Sequence, residues 1–384
     1  MKIVFLSNYI NHHQVPLSDE LFRYLGEDYK FIATVPIYEW RRKLGYEDYS
    51  DKPYVLSSYE SASNYNEAVR LINAADVVIV GSSPECMIAE RLKANKLTFR
   101  YSERWFKDRP WYAHGPRGWW NIYRNHFRYR NKKVFMLAAS AYTAADVSHF
   151  FLYPNKVYKW GYFPAVDKRE YAAIRPPRES EDTVNIMWCS RFIDLKHPEL
   201  PVLLAKKLMD AGYQFHIDMY GSGVEFDKTV ALAKSLKVID NVTFCGNKPN
   251  AEIVEAMCNH DIFLFTSDKG EGWGAVLNES MSKGCAVVAS NMIGSAPFLI
   301  EDGKNGLLFK SEDIESLFDQ TKKLFDNPDL RRRLSENAVR TMQDLWSPKV
   351  AASRFIDLAR RLLNGQDTQY TDGPCSKAYP IRCQ

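Results

Sequence analysis

Two stretches of the chain combine residue types and spacing that chemistry can use. In EGWGAVLNES, Glu271 and Glu279 stand eight positions apart around Gly272-Trp273-Gly274. The stretch follows an apolar run, DIFLFTS, and a short loop, DKG. Glu271 therefore reads as a loop residue and Glu279 as a residue about a turn and a half into the next helix. Glycines there let a ligand reach backbone N–H groups at a helix start, where the dipole favours an anion. Two carboxylates so placed suit two separate hydroxyl-rich parts of one ligand. The plainer alternative is a glycine turn with solvated acids. The second stretch is SRFIDLKHPE, where Arg191 ends a strand and Lys196 follows five positions later. Two cations at the carboxyl end of a parallel strand suit a diphosphate, with Arg as a fork and Lys as a point charge. Alternatively they are two surface cations.

The elements that must position these residues follow a βαβα rhythm. KIVFLS (2–7), YKFIATV, DVVIVG, KLTFRYS, VFMLAAS (134–140) and NKVYKWGYF (155–163) read as strands. PLSDELFRYLG reads as a helix, with Pro16 suited to its start and Gly26 to its stop. Further helical patterns lie around 64–74 and 84–94. Two prolines and dense charge in AAIRPPRESED (172–182) read as a linker. The rhythm then restarts with VNIMWCS, FHIDMYG, NVTFCG, DIFLFTS, CAVVAS and GLLF. Helical patterns lie between them at 198–211, 224–237, 250–259 and 274–283, and follow at 312–326, 328–343 and 347–363. The expected fold is α/β, with two Rossmann-like doubly wound domains over 1–170 and 171–345. A C-terminal helix over 346–364 and an aperiodic tail over 365–384 complete the chain. In such sheets ligands bind outside the carboxyl ends of the strands.

Composition narrows the function classes. With 384 residues, 46% hydrophobic and 26% charged, the chain is neither disordered nor collagen-like, and too large for a disulfide-stapled scaffold. A net charge of +4 does not argue for nucleic acid. Seven cysteines without a C-x-x-C pair make a zinc site of ordinary spacing a poor fit and suit a reducing cytosol. No run reaches the ~18–20 apolar residues of a membrane span. The chain is expected to be cytoplasmic and soluble, with room for a peripheral position on the inner face of the cell membrane.

Taken together, the motifs resemble the retaining GT-B glycosyltransferases of family 4. The matching stretches are SRFIDLK (190–196), MYGSG (219–223), VTFCGNKPNAEI (242–253), LFTSDKGEGWGAVLNESMSKGCAVVAS (264–290) and EDGKNGLLF (301–309). NYINHHQVP and KWGYFP look like a bacterial surface-polysaccharide subgroup. The resemblance implies two domains facing a central cleft, with the final helix returning to the first. It implies that Arg191 and Lys196 bind the donor diphosphate and stabilise the leaving group. Glu279 would bind the nucleotide ribose. Glu271, with the backbone of Gly272, Trp273 and Gly274, would hold the donor sugar. Gly221 and Gly223 would form a turn near the nucleotide, and Gly246 and Lys248 would lie by the base. A UDP- or GDP-sugar would be the donor and a glycan, or one linked to polyprenyl diphosphate, the acceptor. No metal and no cofactor would be needed, and no D-x-D motif is present.

The first domain departs from that family. Asn8, Tyr9, Asn11, His12 and His13 replace a common glycine pair in the first loop. Where the family often has a His after the fourth strand, TFRYSERW offers Arg100, Ser102 and Glu103. Phe298 stands where a Glu is frequent after Pro297. Asn8, His12, His13 and Glu103 are therefore only candidate acceptor-side residues, and either His could instead cap a loop. Residues 100–133 hold ten Lys and Arg against two acids, with ten aromatics interleaved. That mixture suits an anionic membrane surface. It equally fits a structural helix with solvated cations, and no nucleic-acid module accompanies it. Two other functions stay open: a nucleotide-sugar epimerase on a similar fold, and a catalytically silent glycan-binding or scaffold protein. The E-x7-E pair speaks against the first and the intact charged set against the second.

Overall fold

The computed structural model describes residues 1–39, 47–107, 115–176 and 183–381. The chain divides into two units, Met1–Ala165 with Trp346–Gln384, and Val166–Leu345. Much of the charged linker (177–182) lies outside the described residues, as do Asp108, Arg109, Trp111 and Cys383.

In the first unit seven strands form one parallel sheet. They are β1 (Ile3–Ser7), β2 (Tyr29–Ala33), β3 (Val55–Ser57), β4 (Val77–Val80), β5 (Thr98–Ser102), β6 (Val134–Ala138) and β7 (Val157–Lys159). Their order is β3-β2-β1-β4-β5-β6-β7. β4 reads VVIV with every residue buried, as a central strand covered on both faces should. β3 lies outside the runs read as strands: three residues are too few to show a period. The helix Pro348–Leu363 belongs to this unit. Ser347 caps it by accepting from Val350 N at 3.3 Å, and Pro348 fills its first position. Its Phe355 meets Phe99 of β5 with ring centroids 5.0 Å apart. The aperiodic tail is ordered against β7. Lys159 N donates to Ser376 O at 2.8 Å, and Cys375 N donates to Lys159 O at 2.8 Å.

The second unit carries β8 (Val184–Cys189), β9 (Phe215–Tyr220), β10 (Val242–Gly246), β11 (Ile262–Phe265), β12 (Ala286–Ser290) and β13 (Leu307–Phe309). These also run parallel, in the order β10-β9-β8-β11-β12-β13. Buried Ile186, Trp188, Leu204, Ile217, Leu264 and Val288 belong to its core. Each such side chain contributes on the order of 1.5–3 kcal/mol by leaving water. β8 pairs with β9 on one side and β11 on the other, so strand order reverses between β8 and β11. In an open α/β sheet that reversal splays the following loops apart and leaves a crevice at the strand ends. The loop after β8 carries Arg191 and Lys196; the loop after β11 carries Glu271.

Candidate active site

The loop after β8 is shaped by buried neighbours. Phe192 is buried, with its ring 4.9 Å from Trp188 and 5.0 Å from Phe226. Anchoring that residue turns its neighbour outward: Arg191 is exposed, and its side chain has no hydrogen bond or ion pair among the described residues. Lys196 is buried and paired with Glu271. Ser267 Oγ also donates to the Glu271 carboxylate at 3.2 Å. Lys196 and Glu271, given separate roles on sequence grounds, are thus direct partners here. A buried pair offsets part of the desolvation of both charges, and either partner left alone is costly.

Two glycines let a third loop close on this one. Gly221 has φ +127°, and a Cβ there would lie 1.9 Å from Ser190 O; at Gly223, φ +155°, it would lie 2.2 Å from Phe192 O. Phe192 N donates to Ser222 O at 2.8 Å, so backbone packs directly on backbone. Gly223→Ala is expected to lower stability by at least about 1–3 kcal/mol, the cost of a strained backbone before the clash is relieved. A urea midpoint unchanged from the parent would contradict it. Gly221 N also donates to Gly246 O at 2.8 Å, holding the turn before Lys248, which is exposed.

Trp273, expected to meet the donor through its backbone, turns its side chain inward. Its side chain is 0% exposed and its Nε1 donates to Asn278 Oδ1 at 2.9 Å. The indole is a core residue packed near Phe298, ring centroids 6.4 Å apart, and only backbone at this position can meet a donor. Gly274, at φ +81°, lies where a Cβ would come within 2.4 Å of the Phe265 ring. Glu279 sits in the helix Val276–Ser282 and is buried. Burial pushes its carboxyl up to about 7, against a hydrogen bond from the Asn250 side chain. At neutral pH this carboxyl is poised to charge when hydroxyl donors arrive.

In the first unit, strand order reverses between β1 and β4, and the loop after β1 carries Asn8, His12 and His13. His12 and His13 have ring centroids 3.7 Å apart, and His13 stacks on Tyr162 at 5.6 Å. Tyr162 OH donates to Glu103 Oε1 at 2.6 Å, and Lys107 pairs with the other carboxylate oxygen. The structure therefore joins His12, His13 and Glu103 through Tyr162, which sequence spacing did not single out. Asn8 is anchored through its backbone. Its carbonyl accepts from Thr34 N at 2.7 Å and Val35 N at 3.0 Å, tying the ends of β1 and β2.

Residues 172–341 match the sequence model of the glycosyl transferases group 1. The N-acetyl-alpha-D-glucosaminyl L-malate synthase of Bacillus anthracis is 28% identical over 152 residues, 38% of this chain and 39% of that protein. A Campylobacter jejuni enzyme is 32% identical over 118 residues, 31% of this chain and 32% of that one. It is an N-acetylgalactosaminyltransferase acting on N-acetylgalactosamine-N,N'-diacetylbacillosaminyl-diphospho-undecaprenol. The chain thus spans well under half the length of either relative. The crystal structure of Anabaena HepE in complex with UDP superimposes with a TM-score of 0.68 at 14% identity, covering 95% of this chain and 100% of that one. At that identity the likeness shows the fold, a GT-B fold of two parallel α/β units.

Proposed function

This chain carries a group 1 glycosyl transferase region on a GT-B fold, and from that premise we propose that it is a retaining, metal-independent glycosyltransferase. In this reading a UDP- or GDP-sugar is the donor and a hydroxyl of a glycan, or of a glycan on a polyprenyl diphosphate, the acceptor. The observation that carries it is the pair of loops at the second unit's switch point, after β8 and β11. There Arg191, exposed and without an ion pair among the described residues, stands in the same loop as Lys196, which is paired with Glu271. Arg191 and Lys196 neutralise the diphosphate as the bond from sugar C1 to phosphate oxygen breaks. The acceptor oxygen bonds to C1 on the same face, and its proton passes to the departing phosphate oxygen. Glu271 holds the sugar and Glu279 the ribose. Asn8, His12, His13 and Glu103 contribute on the acceptor side. A thermal-shift screen of nucleotide sugars, followed by NMR of the product anomer, tests this. A chain that neither transfers nor hydrolyses any nucleotide sugar overturns the reading, and an inverted anomer overturns its stereochemistry.

We further propose an anionic membrane surface as a partner of the first unit. Among the described residues no helix is long and apolar enough to cross a membrane. The helix Pro116–Asn125 buries none of its residues; Trp119, Trp120 and Tyr123 are 49%, 59% and 51% exposed. Trp120, Tyr123 and Phe127 stack in a row at 6.0 Å per step. Not all of the segment's cations are available to lipid. Arg100 pairs with Glu85 at 2.5 Å, Arg104 is buried near Asp146, Lys107 pairs with Glu103, and Lys132 donates to Leu92 O at 3.0 Å. Arg117, Arg124, Arg128 and Lys133 are exposed. At on the order of 1 kcal/mol for each cation near an anionic surface, four give weak, salt-sensitive attraction that the aromatic row reinforces. Sedimentation with anionic but not neutral vesicles is expected, lost when Arg117, Arg124, Arg128 and Lys133 are all changed to Gln. Equal recovery with both vesicle types would refute it.

A further inference from the structure

His197 follows Lys196 directly and occupies left-handed backbone, φ 49° and ψ 58°. Its side chain is only 14% exposed. Nδ1 lies 2.8 Å from Glu199 Oε1, and Nε2 lies 3.4 Å from Asp268 Oδ2. Both ring nitrogens thus face carboxylates. A neutral imidazole has one N–H and one lone pair, so one ring nitrogen would turn a lone pair toward a carboxylate; an imidazolium donates to Glu199 and faces Asp268 as an ion pair without a hydrogen bond.

Asp268 shapes the loop that presents Glu271. Its Oδ1 accepts from Gly270 N at 2.6 Å, and its carbonyl accepts from Glu271 N at 3.1 Å. Asp268 N in turn donates to Leu195 O at 3.0 Å. Two residues earlier, Thr266 Oγ1 donates to Lys196 O at 2.7 Å and accepts from Trp188 Nε1 at 2.8 Å. The two loops are joined by these bonds and by the Lys196–Glu271 ion pair, and the His197 ring adds a second charged contact between them.

We propose that His197 is a positioning residue, an imidazolium latch between the loop that carries Lys196 and the loop that carries Glu271. The groups that face it are Glu199 at the start of the helix Glu199–Asp210, Asp268 after β11, and Glu312 after β13; Lys196 is its neighbour in its own loop. The hydrogen bond with Glu199 raises the imidazole above its ordinary value; burial opposes this, and the charges of Glu199, Asp268 and Glu312 add to it. Glu199 is held below its ordinary value: burial pushes it up, but the His197 bond, the Glu199 backbone N–H and the charges of His197 and Lys228 together outweigh that. The latch is therefore closed below the imidazole's raised value, while Glu199 and Asp268 stay charged. It opens as pH rises through the raised value, and the same linkage removes its contribution to stability on the alkaline side. An open latch frees Asp268 and loosens the turn that aims Glu271.

This inference rests on the reading of Glu271 as the donor-sugar contact, so its experiment has one arm that needs no turnover. In the full chain, NMR titration of the His197 ring, assigned by its loss in His197→Asn, is expected to show a midpoint above the free-histidine value of about 6.5. Asp268→Asn is expected to lower that midpoint. In the second arm, kcat of the parent falls on the alkaline side through the same midpoint. His197→Asn, chosen because Asn accepts left-handed backbone, is expected to cut kcat about 10- to 100-fold. It should also abolish the alkaline limb and leave nucleoside diphosphate affinity within about twofold, an order-of-magnitude expectation for contacts that do not reach the ligand. A midpoint at or below 6.5, or an alkaline limb that survives in His197→Asn, overturns the latch. A parent that turns over no nucleotide sugar overturns the functional reading instead, and the titration still decides the latch.

Discussion

Alanine at Arg191 is expected to lower kcat/KM by about 10²–10³, the effect of removing one preorganised donor from a developing anion. Alanine at Lys196 should cost turnover as much, yet the two variants should differ in a second measurement. Arg191 is exposed and its side chain makes no hydrogen bond or ion pair among the described residues, so its loss orphans no partner there and the urea midpoint should not move. Lys196 is 11% exposed at the side chain and paired with Glu271, itself 14% exposed. Removing it leaves a buried carboxylate unpaired, which typically costs about 3–5 kcal/mol. Turnover with a fixed nucleotide sugar and urea unfolding, run on both variants, separate the two. Near-normal turnover in both would remove the diphosphate role from this loop. Equal loss of stability in both would mean that Arg191 has a structural partner after all.

Why some of this site is visible in the sequence and some is not has a physical basis. Arg191, Lys196, Glu271 and Glu279 stand at the ends of apolar runs or beside glycines, and strand ends are where a parallel sheet puts its ligands. Their placement needs only the local period of the chain. His197, Thr266 and Asp268 act through contacts with residues about 70 positions away, and spacing carries no trace of such a bond. Tyr162 is the same case: it lies in KWGYFP, but its link to Glu103 crosses 59 positions. Trp273 shows the converse. Its glycine neighbours mark a ligand turn, while the indole faces the core, a matter of packing that the glycines do not encode. Likewise β3 is too short to show alternation. The tail shows none because backbone pairing with β7 and the burial of Cys375, 0% exposed, hold it instead. Backbone pairing is indifferent to side-chain pattern. The cationic segment was legible as charge, but which cations are bound within the protein follows only from tertiary partners such as Glu85 for Arg100.

Glu271→Ala and Glu279→Ala are expected to fail in opposite ways. Glu271→Ala removes the proposed sugar contact and releases Lys196 from its pair. Turnover should fall about 10²-fold or more, while affinity for the nucleoside diphosphate alone holds or rises, since the freed ammonium can turn to phosphate. Glu279→Ala should weaken the diphosphate itself. Its carboxyl also predicts a pH signature. Burial raises it to about 7 from an ordinary 4.5, so the folded protein holds this proton more tightly than the unfolded chain. The stabilising effect is complete below about 4.5 and is lost as pH rises through about 7. Above that, a shift of this size costs on the order of 3 kcal/mol, so Glu279→Gln should unfold at higher urea than the parent at pH ~8. Ribose hydroxyls that donate to the carboxylate favour its charged form. Binding should then expel the proton, and affinity should climb through pH ~7. Calorimetry in two buffers of different ionisation enthalpy reads that proton directly. The diphosphate's own ionisation is common to both proteins, so the difference between the parent and Glu279→Gln isolates this carboxyl. Identical proton release from the two would show that Glu279 does not meet the nucleotide, and equal losses of diphosphate affinity in Glu271→Ala and Glu279→Ala would show that the two carboxylates do not divide the donor between them.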